Sequence, residues 1–272
     1  MPELPEVETT INGLNLIKQQ KIYKIQIHIK KLRFQIPKSI KKIVINSKIS
    51  NIRRIAKYII LDLDNKYSIV IHLGMSGRLK INHDNFTKIK HDHVIIFFEN
   101  KKILVFNDPR RFGFIDLVKT ENLKNCKYIL NLGIDALSKE LNHKLLYSKI
   151  SNSEVPIKQI LLNQHIISGI GNIYASEILF DAKISPLTLG KDLKISLIMK
   201  LIRSIRKILR KAIRYGGSSI RDYRSTDGTL GNFQSNFKVY GHEGKKIYSD
   251  KVLKIFQYGR STFYCPKIQN NK

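Results

Sequence analysis

The first ten residues contain the most reactive candidate group of this chain. Met1 is followed by a small residue, so enzymatic removal of Met1 would leave Pro2 as a terminal secondary amine. An α-amine has a pKa near 8, and about a tenth of it is unprotonated at neutral pH. Such an amine can attack a carbon such as C1′ of deoxyribose, and Glu3 could move protons at the same carbon. An ordinary helix start with an acidic first turn is the alternative interpretation.

Helical spacing predicts the element that would position this terminus. Pro5 suits a first helical turn, and Glu6 and Glu8 are favourable at its positive end. The apolar residues Val7, Ile11, Leu14 and Ile17 then follow at helical spacing, which predicts a helix held against a core.

Two turns could present side chains to a base stack. Segment 107–113 places Arg110, Arg111 and Phe112 between a proline and a glycine, so its tip is both cationic and apolar. Such a tip suits a wedge, because apolar groups fill the gap left by an extruded nucleotide and arginine pairs with an orphaned base or phosphate. Met75 lies in a glycine-flanked turn that would push it outward, although a lone methionine is more often part of a core.

A glycine turn between two helices predicts a phosphate site. Gly169 and Gly171 permit a tight turn between helices predicted at Pro156–Gln164 and Ile173–Asp181. The amide groups at the start of the second helix would face outward, where an anionic phosphate is the natural ligand.

Composition favours a polyanionic partner and an intracellular protein. The chain has 49 Lys and Arg against 21 Asp and Glu, a formal net charge of +28, although an A+T-rich genome also supplies excess lysine. No apolar run approaches the roughly 18 residues of a membrane span, and no signal pattern is present. Cys126 and Cys265 are too few for a disulfide framework. We expect a soluble, cytoplasmic monomer.

Periodicity predicts an α+β fold. Short strand patterns without intervening helices indicate an N-terminal antiparallel β-sandwich beside the first helix. These patterns cover Lys21–Ile29, Ile43–Ile45, Tyr58–Leu63, Tyr67–Leu73, His93–Phe98 and Ile103–Phe106. Helical periodicity follows after about Leu130 and includes a long helix over Asp192–Tyr215, whose basic residues we interpret as a solvated face rather than a docking surface. The predicted domains are a catalytic sandwich at 1–128, a helical domain at 129–236 and a β-hairpin at 237–272.

Four motifs in this order resemble the formamidopyrimidine-DNA glycosylase family. They are MPELPEVET at the amino terminus, RRIAKY at 53–58, GIGNIYASE at 169–177 and GRSTFYC at 259–265. Members of the family are bifunctional repair enzymes that remove oxidised purines and then cut the strand. The resemblance implies damaged duplex DNA as the partner and a helix–two-turns–helix element in the helical domain.

The resemblance also implies roles for individual residues. Pro2 would be the Schiff-base nucleophile, Glu3 the acid/base beside it, and Lys57 a contact to the phosphate and sugar of the lesion. From the residues alone, a solvated basic strand edge is the alternative for Lys57. Arg260 would grip a phosphate in the second elimination step. The implied DNA contacts are His72, Met75, His91, Arg110, Phe112, Lys158 and Asn172.

Two further parts of the chain carry implications of the same resemblance, and one pair of histidines has an alternative interpretation from the residues alone. Ser153 stands where many members place a phosphate-binding lysine, so the resemblance does not carry that contact over to this chain. Segment Ser218–Gly228 matches the loop that closes over the extruded base. His91 and His93 could instead form a metal pair, but no third ligand accompanies them.

The tail departs from the family pattern. Members usually end in a four-cysteine zinc hairpin, but here Ile247 and Asp250 stand at the first pair, and Ile268 stands beside Cys265 at the second. We therefore expect no bound metal and no required cofactor, with apolar residues holding the hairpin instead. Those residues are Ile247, Val252, Leu253, Ile255, Phe256, Phe263 and Ile268.

Two alternative functions remain open from the sequence. One is an endonuclease VIII-like glycosylase for oxidised pyrimidines. Leu4 in the terminal motif and the complete set of Met75, Arg110 and Phe112 favour the purine enzyme. The other is a non-catalytic nucleic-acid-binding protein that uses only the helix–two-turns–helix element, and the presence of Pro2, Glu3 and Lys57 counts against it.

Overall fold

A computed structural model describes residues 1–83, 86–218, 226 and 231–270. The chain divides into two compact units. Unit 1 contains residues 1–130 and 215–234, and unit 2 contains residues 131–214 and 235–272. The three-domain division with boundaries after 128 and 236 stays a prediction.

Unit 1 is an antiparallel β-sandwich, as the α+β interpretation predicts. Its sheets have the orders β1-β6-β7-β5 and β2-β3-β4-β8 among the described residues, and every neighbouring pair is antiparallel. Apolar side chains from both sheets share one core, so the sheets pack face to face. The strands are β1 (Ile22–Ile27), β2 (Ile49–Ile55), β3 (Tyr58–Leu63), β4 (Tyr67–His72), β5 (Arg78–Asn82), β6 (Asp92–Phe98), β7 (Ile103–Asn107) and β8 (Phe114–Lys119).

The predicted first helix is present as α1 (Leu4–Leu14). Val7, Ile11 and Leu14 are at most 6% exposed and belong to the sandwich core. Burial of each such side chain stabilises the fold by about 1.5–3 kcal/mol. Because these residues recur at helical spacing on one face, α1 is held on the core from its first turn to its last.

The strand predicted at Ile43–Ile45 is wrong. These residues fall in and after a short helix, α2 (Ile40–Val44), in which Ile40 and Val44 are the buried residues. They are four residues apart and therefore lie on one helical face. A three-residue apolar run is too short to separate this spacing from the period-two spacing of a strand.

Unit 2 contains the predicted helices and a hairpin tail. Its helices are α3 (His143–Ile150), α4 (Ile157–Leu162), α5 (Asn172–Ala182) and α6 (Ile195–Arg214). A short parallel pair is formed by β9 (Ile134–Asp135) and β10 (Ile167–Ser168). Two hairpins close the unit, β11 (Lys246–Ile247) with β12 (Asp250–Lys251), and β13 (Leu253–Gln257) with β14 (Arg260–Tyr264).

Helix α6 is amphipathic, as its spacing predicts. Ile198, Leu201 and Ile205 are fully buried, and basic residues follow the opposite face. None of the helices in the described part of the chain combines the length and the apolarity that a membrane crossing requires.

Candidate active site

The amino terminus is fixed by a reciprocal set of hydrogen bonds at the start of α1. Pro2 is buried, and Glu3 is 3% exposed. The Glu3 amide donates to Glu6 Oε2 at 2.8 Å, and the Glu3 carboxylate accepts from the Glu6 amide. This capping box satisfies two amide groups at the helix start. The candidate nucleophile and the candidate acid/base therefore stand immediately before α1, where the capping box holds the backbone.

Glu6 also binds a segment that is distant in sequence. Its Oε1 accepts from the Ser218 amide at 2.8 Å and from the Ser218 hydroxyl at 3.0 Å. The loop expected at Ser218–Gly228 lies outside the described residues except for Ser218 and Thr226. The sequence indicated for Glu6 only a favourable place at the helix start, because nothing local marks a partner 212 residues away.

Lys57 follows β2 in a tight turn that Arg54 holds. Ala56 has a positive φ of 51°, and Arg54 donates to the Ala56 carbonyl at 2.9 Å. Arg54 also forms an ion pair with Glu8 of α1 at 2.6 Å, with an Arg54 side chain that is 11% exposed. Lys57 itself is 6% exposed. The alternative of a solvated basic edge is therefore wrong for Lys57, and Arg54 links the Lys57 turn to α1.

The candidate wedge residues, Met75, Arg110 and Phe112, come from two loops in direct contact. A Cβ placed on Gly74 would overlap the backbone of Phe112, so only glycine allows the loops to approach this closely. Met75 is 40% and Phe112 46% exposed, and the Arg110 guanidinium lies 5.0 Å from the centre of the Phe112 ring. The structure therefore presents one cationic side chain and two apolar ones together on the surface of unit 1.

Asp108 supports these loops from beneath. It is fully buried and accepts from the Ser76 hydroxyl at 2.6 Å and the Gly113 amide at 2.8 Å. Its own amide donates to the carbonyl of His91 at 3.1 Å, and its carbonyl is bonded to His93 Nε2 at 2.9 Å. His93 is thus a structural residue. No group of three His, Cys, Asp or Glu side chains suited to a metal occurs in the described part of the chain.

His72 is held neutral at the end of β4. Burial, together with the nearby cations Lys57 and Arg33, lowers its pKa to about 4. Its Nδ1 accepts from the Gly74 amide at 3.1 Å, so the ring proton is assigned to Nε2. At neutral pH this side chain could donate one hydrogen bond to a phosphate without carrying a charge.

The lowered pKa of His72 predicts a stability loss in weak acid. The His72 imidazole binds a proton near pH 6.5 in the unfolded chain but only near pH 4 in the folded chain. The stability that the neutral imidazole contributes is therefore fully present above pH 6.5 and is lost as the pH drops toward 4. The expected loss is up to about 3 kcal/mol. Between pH 7 and 4.5, the free energy of unfolding in urea should depend less steeply on pH for His72→Asn. Asparagine can still accept the hydrogen bond from the Gly74 amide. Equal slopes would contradict the assignment.

In unit 2, Lys158 and Asn172 meet at the second hairpin. Lys158 is fully buried, and its Nζ donates to the Ser261 carbonyl at 2.9 Å and to the Thr262 hydroxyl at 2.6 Å. Asn172 Nδ2 donates to the same Ser261 carbonyl at 3.0 Å. Arg260 is exposed at the preceding position. The three residues expected to contact DNA therefore converge on one short stretch, with Lys158 beneath it rather than on the surface.

The glycine turn before α5 has a support that the sequence did not indicate. Gln164 accepts from the Gly169 amide at 2.9 Å and donates to the Ile170 carbonyl at 2.8 Å. The side chain therefore bridges both sides of the turn. The only indication of this role in the sequence is that Gln164 ends the helical pattern predicted for α4.

The tail is held by a carboxylate and an apolar cluster at the positions of the missing cysteines. Asp250 is 5% exposed, and its Oδ2 accepts from the amides of Lys267 and Ile268 at 2.7 and 3.0 Å. Burial, and then the charge of Asp250, raise the pKa of the Cys265 thiol to about 11. The cluster consists of Val239, Val252, Phe263 and Cys265, with Phe180, Tyr240, Ile247 and Ile268 packed against it. The expectation that Leu253 and Phe256 also hold the hairpin is wrong, because both side chains are exposed.

Comparison with known proteins identifies the family. Residues 1–115 match the profile of the formamidopyrimidine-DNA glycosylase N-terminal domain, and residues 132–224 match that of its H2TH domain. Formamidopyrimidine-DNA glycosylases of Zymomonas mobilis and Rickettsia canadensis are each 44% identical to the chain. Each alignment covers 99% of this chain, together with 100% of the Zymomonas protein and 99% of the Rickettsia protein. The structure of Lactococcus lactis Fpg with DNA containing an abasic site has a TM-score of 0.91 at 34% identity, covering 99% of this chain and all of that one.

A DNA glycosylase with a helix–two-turns–helix element is thus the class that fold and site define. The chain belongs to the formamidopyrimidine-DNA glycosylase family, as its four motifs predict.

Proposed function

We propose that this glycosylase removes oxidised purines, namely 8-oxoguanine and formamidopyrimidines, from duplex DNA and then cuts the strand by β,δ-elimination. The observation that carries the proposal is the placement of Pro2 and Glu3, both buried at the start of a helix held in the sandwich core. Removal of Met1 would make the Pro2 nitrogen a secondary amine at this fixed position. A nucleophile needs such fixed geometry, because loss of alignment raises the barrier of a bond-forming step.

The proposed chemistry divides one difficult displacement into easier steps. The Pro2 lone pair forms a bond to C1′, and the bond from C1′ to the damaged purine breaks, with the purine keeping the electron pair. Opening of the sugar ring gives an iminium between Pro2 and C1′. Loss of a C2′ proton then expels the 3′ phosphate, and a second elimination expels the 5′ phosphate. Glu3, beside the same carbon, moves protons in these steps.

Four residues would contact phosphates in this proposal. Lys57 and His72 would bind the backbone, as would Asn172 and Arg260, and such contacts fix register without reading sequence. Lys158 has a different proposed role, because its buried ammonium is bonded to Ser261 and Thr262. It would position the hairpin that carries Arg260.

The decisive test compares two duplexes, one with 8-oxoguanine opposite cytosine and one with an oxidised pyrimidine such as 5-hydroxycytosine. We expect faster excision of 8-oxoguanine, followed by strand cuts that leave phosphate at both ends of a one-nucleoside gap. Faster excision of the pyrimidine would favour the endonuclease VIII-like alternative. Binding without any cut would favour the non-catalytic one.

Removal of the wedge should affect the two activities unequally. Opening a paired stack costs a few kcal/mol, and less when the base is missing. Phe112→Ala with Met75→Ala should therefore slow 8-oxoguanine excision from duplex by roughly tenfold or more, while cleavage at a preformed abasic site changes much less. Tyr147→Ala, which removes a 39% exposed aromatic ring from α3, is the matched control. Equal losses on both substrates would mean that the wedge residues do not stabilise an opened stack.

A further inference from the structure

Helix α1 has two contacts on one face with the segment that follows α6. Glu6 and Gly13 are seven residues apart, so they lie two turns apart on the same side of the helix. Glu6 binds Ser218, and Gly13 packs against Thr226. All four residues belong to unit 1.

The contact at Gly13 depends on the absence of a side chain. A Cβ placed there would overlap the Thr226 hydroxyl and would lie 3.0 Å from Thr226 Cβ and 3.2 Å from Thr226 Cγ2. Thr226 is 5% exposed, and its carbonyl accepts from the Ile81 amide of β5 at 2.9 Å. Glycine in a helix costs up to about 1 kcal/mol relative to alanine. The close approach of Thr226 explains why a glycine stands here despite that cost.

The contact at Glu6 connects the same segment to the catalytic terminus. One carboxylate oxygen binds the Glu3 amide and the other binds the Ser218 amide, each at 2.8 Å. The two amides are therefore within about 8 Å of each other. Pro2 and Glu3 act at C1′ in the proposed function. The Ser218 amide therefore lies within reach of a base attached to that carbon.

We propose that α1 is a two-point positioning element, in which Glu6 and Gly13 hold Ser218 and Thr226 in fixed relation to Pro2 and Glu3. Neither residue touches the reacting atoms. This inference rests on the proposed function for the role of Pro2 and Glu3. It predicts that displacement of Thr226 disturbs reactions of a base-bearing nucleotide and spares those of an abasic one.

The test uses a substitution and its size-compensating partner. Gly13→Ala should displace Thr226, and Gly13→Ala with Thr226→Gly should restore the space. Asn12→Ala, at an exposed position of α1, is the matched control because it changes helix propensity without this contact. Amide hydrogen exchange reports the geometry directly. Gly13→Ala should lose protection at the Ile81 amide, and the double variant should regain it.

Single-turnover kinetics on two substrates report the function. We expect Gly13→Ala to slow 8-oxoguanine excision by about ten- to a hundredfold, as displacement by about 1 Å can do. Cleavage at a preformed abasic site should change by less than about threefold on the same grounds. The double variant should recover excision.

Three outcomes would overturn the inference. They are unchanged exchange at Ile81 in Gly13→Ala, equal losses on both substrates, and failure of the double variant to recover. If the unmodified chain cut neither substrate, the proposed function would fail on its own. The exchange measurements would still decide whether Gly13 positions Thr226.

Discussion

Pro2→Gly should abolish most of the covalent chemistry of this enzyme. Borohydride reduction should trap the unmodified chain on 8-oxoguanine DNA through its amino terminus, whereas Pro2→Gly should trap and cut at least roughly a hundredfold less, about 2.7 kcal/mol in the barrier. Glycine still has a terminal amine, but a primary one. It lacks the ring that fixes the nitrogen. The imine that a primary amine forms is positively charged only while it is protonated, whereas the iminium of a secondary amine has no N–H proton to lose.

The control for this experiment is Pro5→Ala. Pro5 lies in the first turn of the same helix, and alanine suits a helix, so folding of α1 should persist. Trapping by Pro5→Ala should stay near that of the unmodified chain. If Pro2→Gly trapped and cut equally well, Pro2 would not be the nucleophile. Mass spectrometry of the amino-terminal peptide should confirm in each protein that Met1 has been removed.

Asp250→Ala should have the second largest effect, on the hairpin that carries Arg260. The buried carboxylate accepts two backbone amides from the turn after β14, and each such charge-assisted bond contributes about 1.5–3 kcal/mol. The variant should lose roughly 3–5 kcal/mol of stability in unit 2. Binding of abasic-site DNA should weaken in parallel. Urea unfolding measures the loss of stability, and fluorescence anisotropy measures the loss of binding.

A surface carboxylate of the same region is the matched control. Glu243 pairs with Lys254 at 3.4 Å, and its side chain is 58% exposed, so Glu243→Ala should cost less than about 1 kcal/mol. The unmodified chain should work without zinc, because Asp250 and the apolar cluster hold the positions of the missing thiols. Stoichiometric zinc by elemental analysis, or activity abolished by a chelator, would contradict this expectation.

The parts of the fold that the sequence predicted are those with regular spacing over many residues. Helix α1 contains three of the four apolar residues at helical intervals, and Ile17 lies in the 3-10 turn that follows it. Strand β3 coincides with its prediction at Tyr58–Leu63 because a clear turn follows. Ile43–Ile45 failed because three residues cannot define a period. The family motifs then placed the candidate site residues, whose roles the fold alone does not assign.

Long-range polar contacts were the part that could not be predicted. Glu6, Gln164 and Asp250 each accept backbone amides, and no residue pattern marks which amide a carboxylate or carboxamide will meet. Lys158 shows the same limit in another way. The family resemblance implies a DNA contact for Lys158, but packing encloses its side chain beneath the hairpin, with partners 103 and 104 residues away.

The raised pKa of Cys265 bears on how this repair enzyme withstands the conditions that damage DNA. Oxidants attack thiolates, and a thiol with a pKa of about 11 has only about one part in ten thousand as thiolate at pH 7. A four-thiolate zinc hairpin releases its metal when peroxide oxidises a ligand, and the hairpin then loses its main source of folding energy. Here Asp250 and an apolar cluster occupy the positions of the missing thiols, and peroxide leaves a carboxylate unchanged. Oxidative stress, which creates the proposed substrate, would therefore leave the Arg260 hairpin in place.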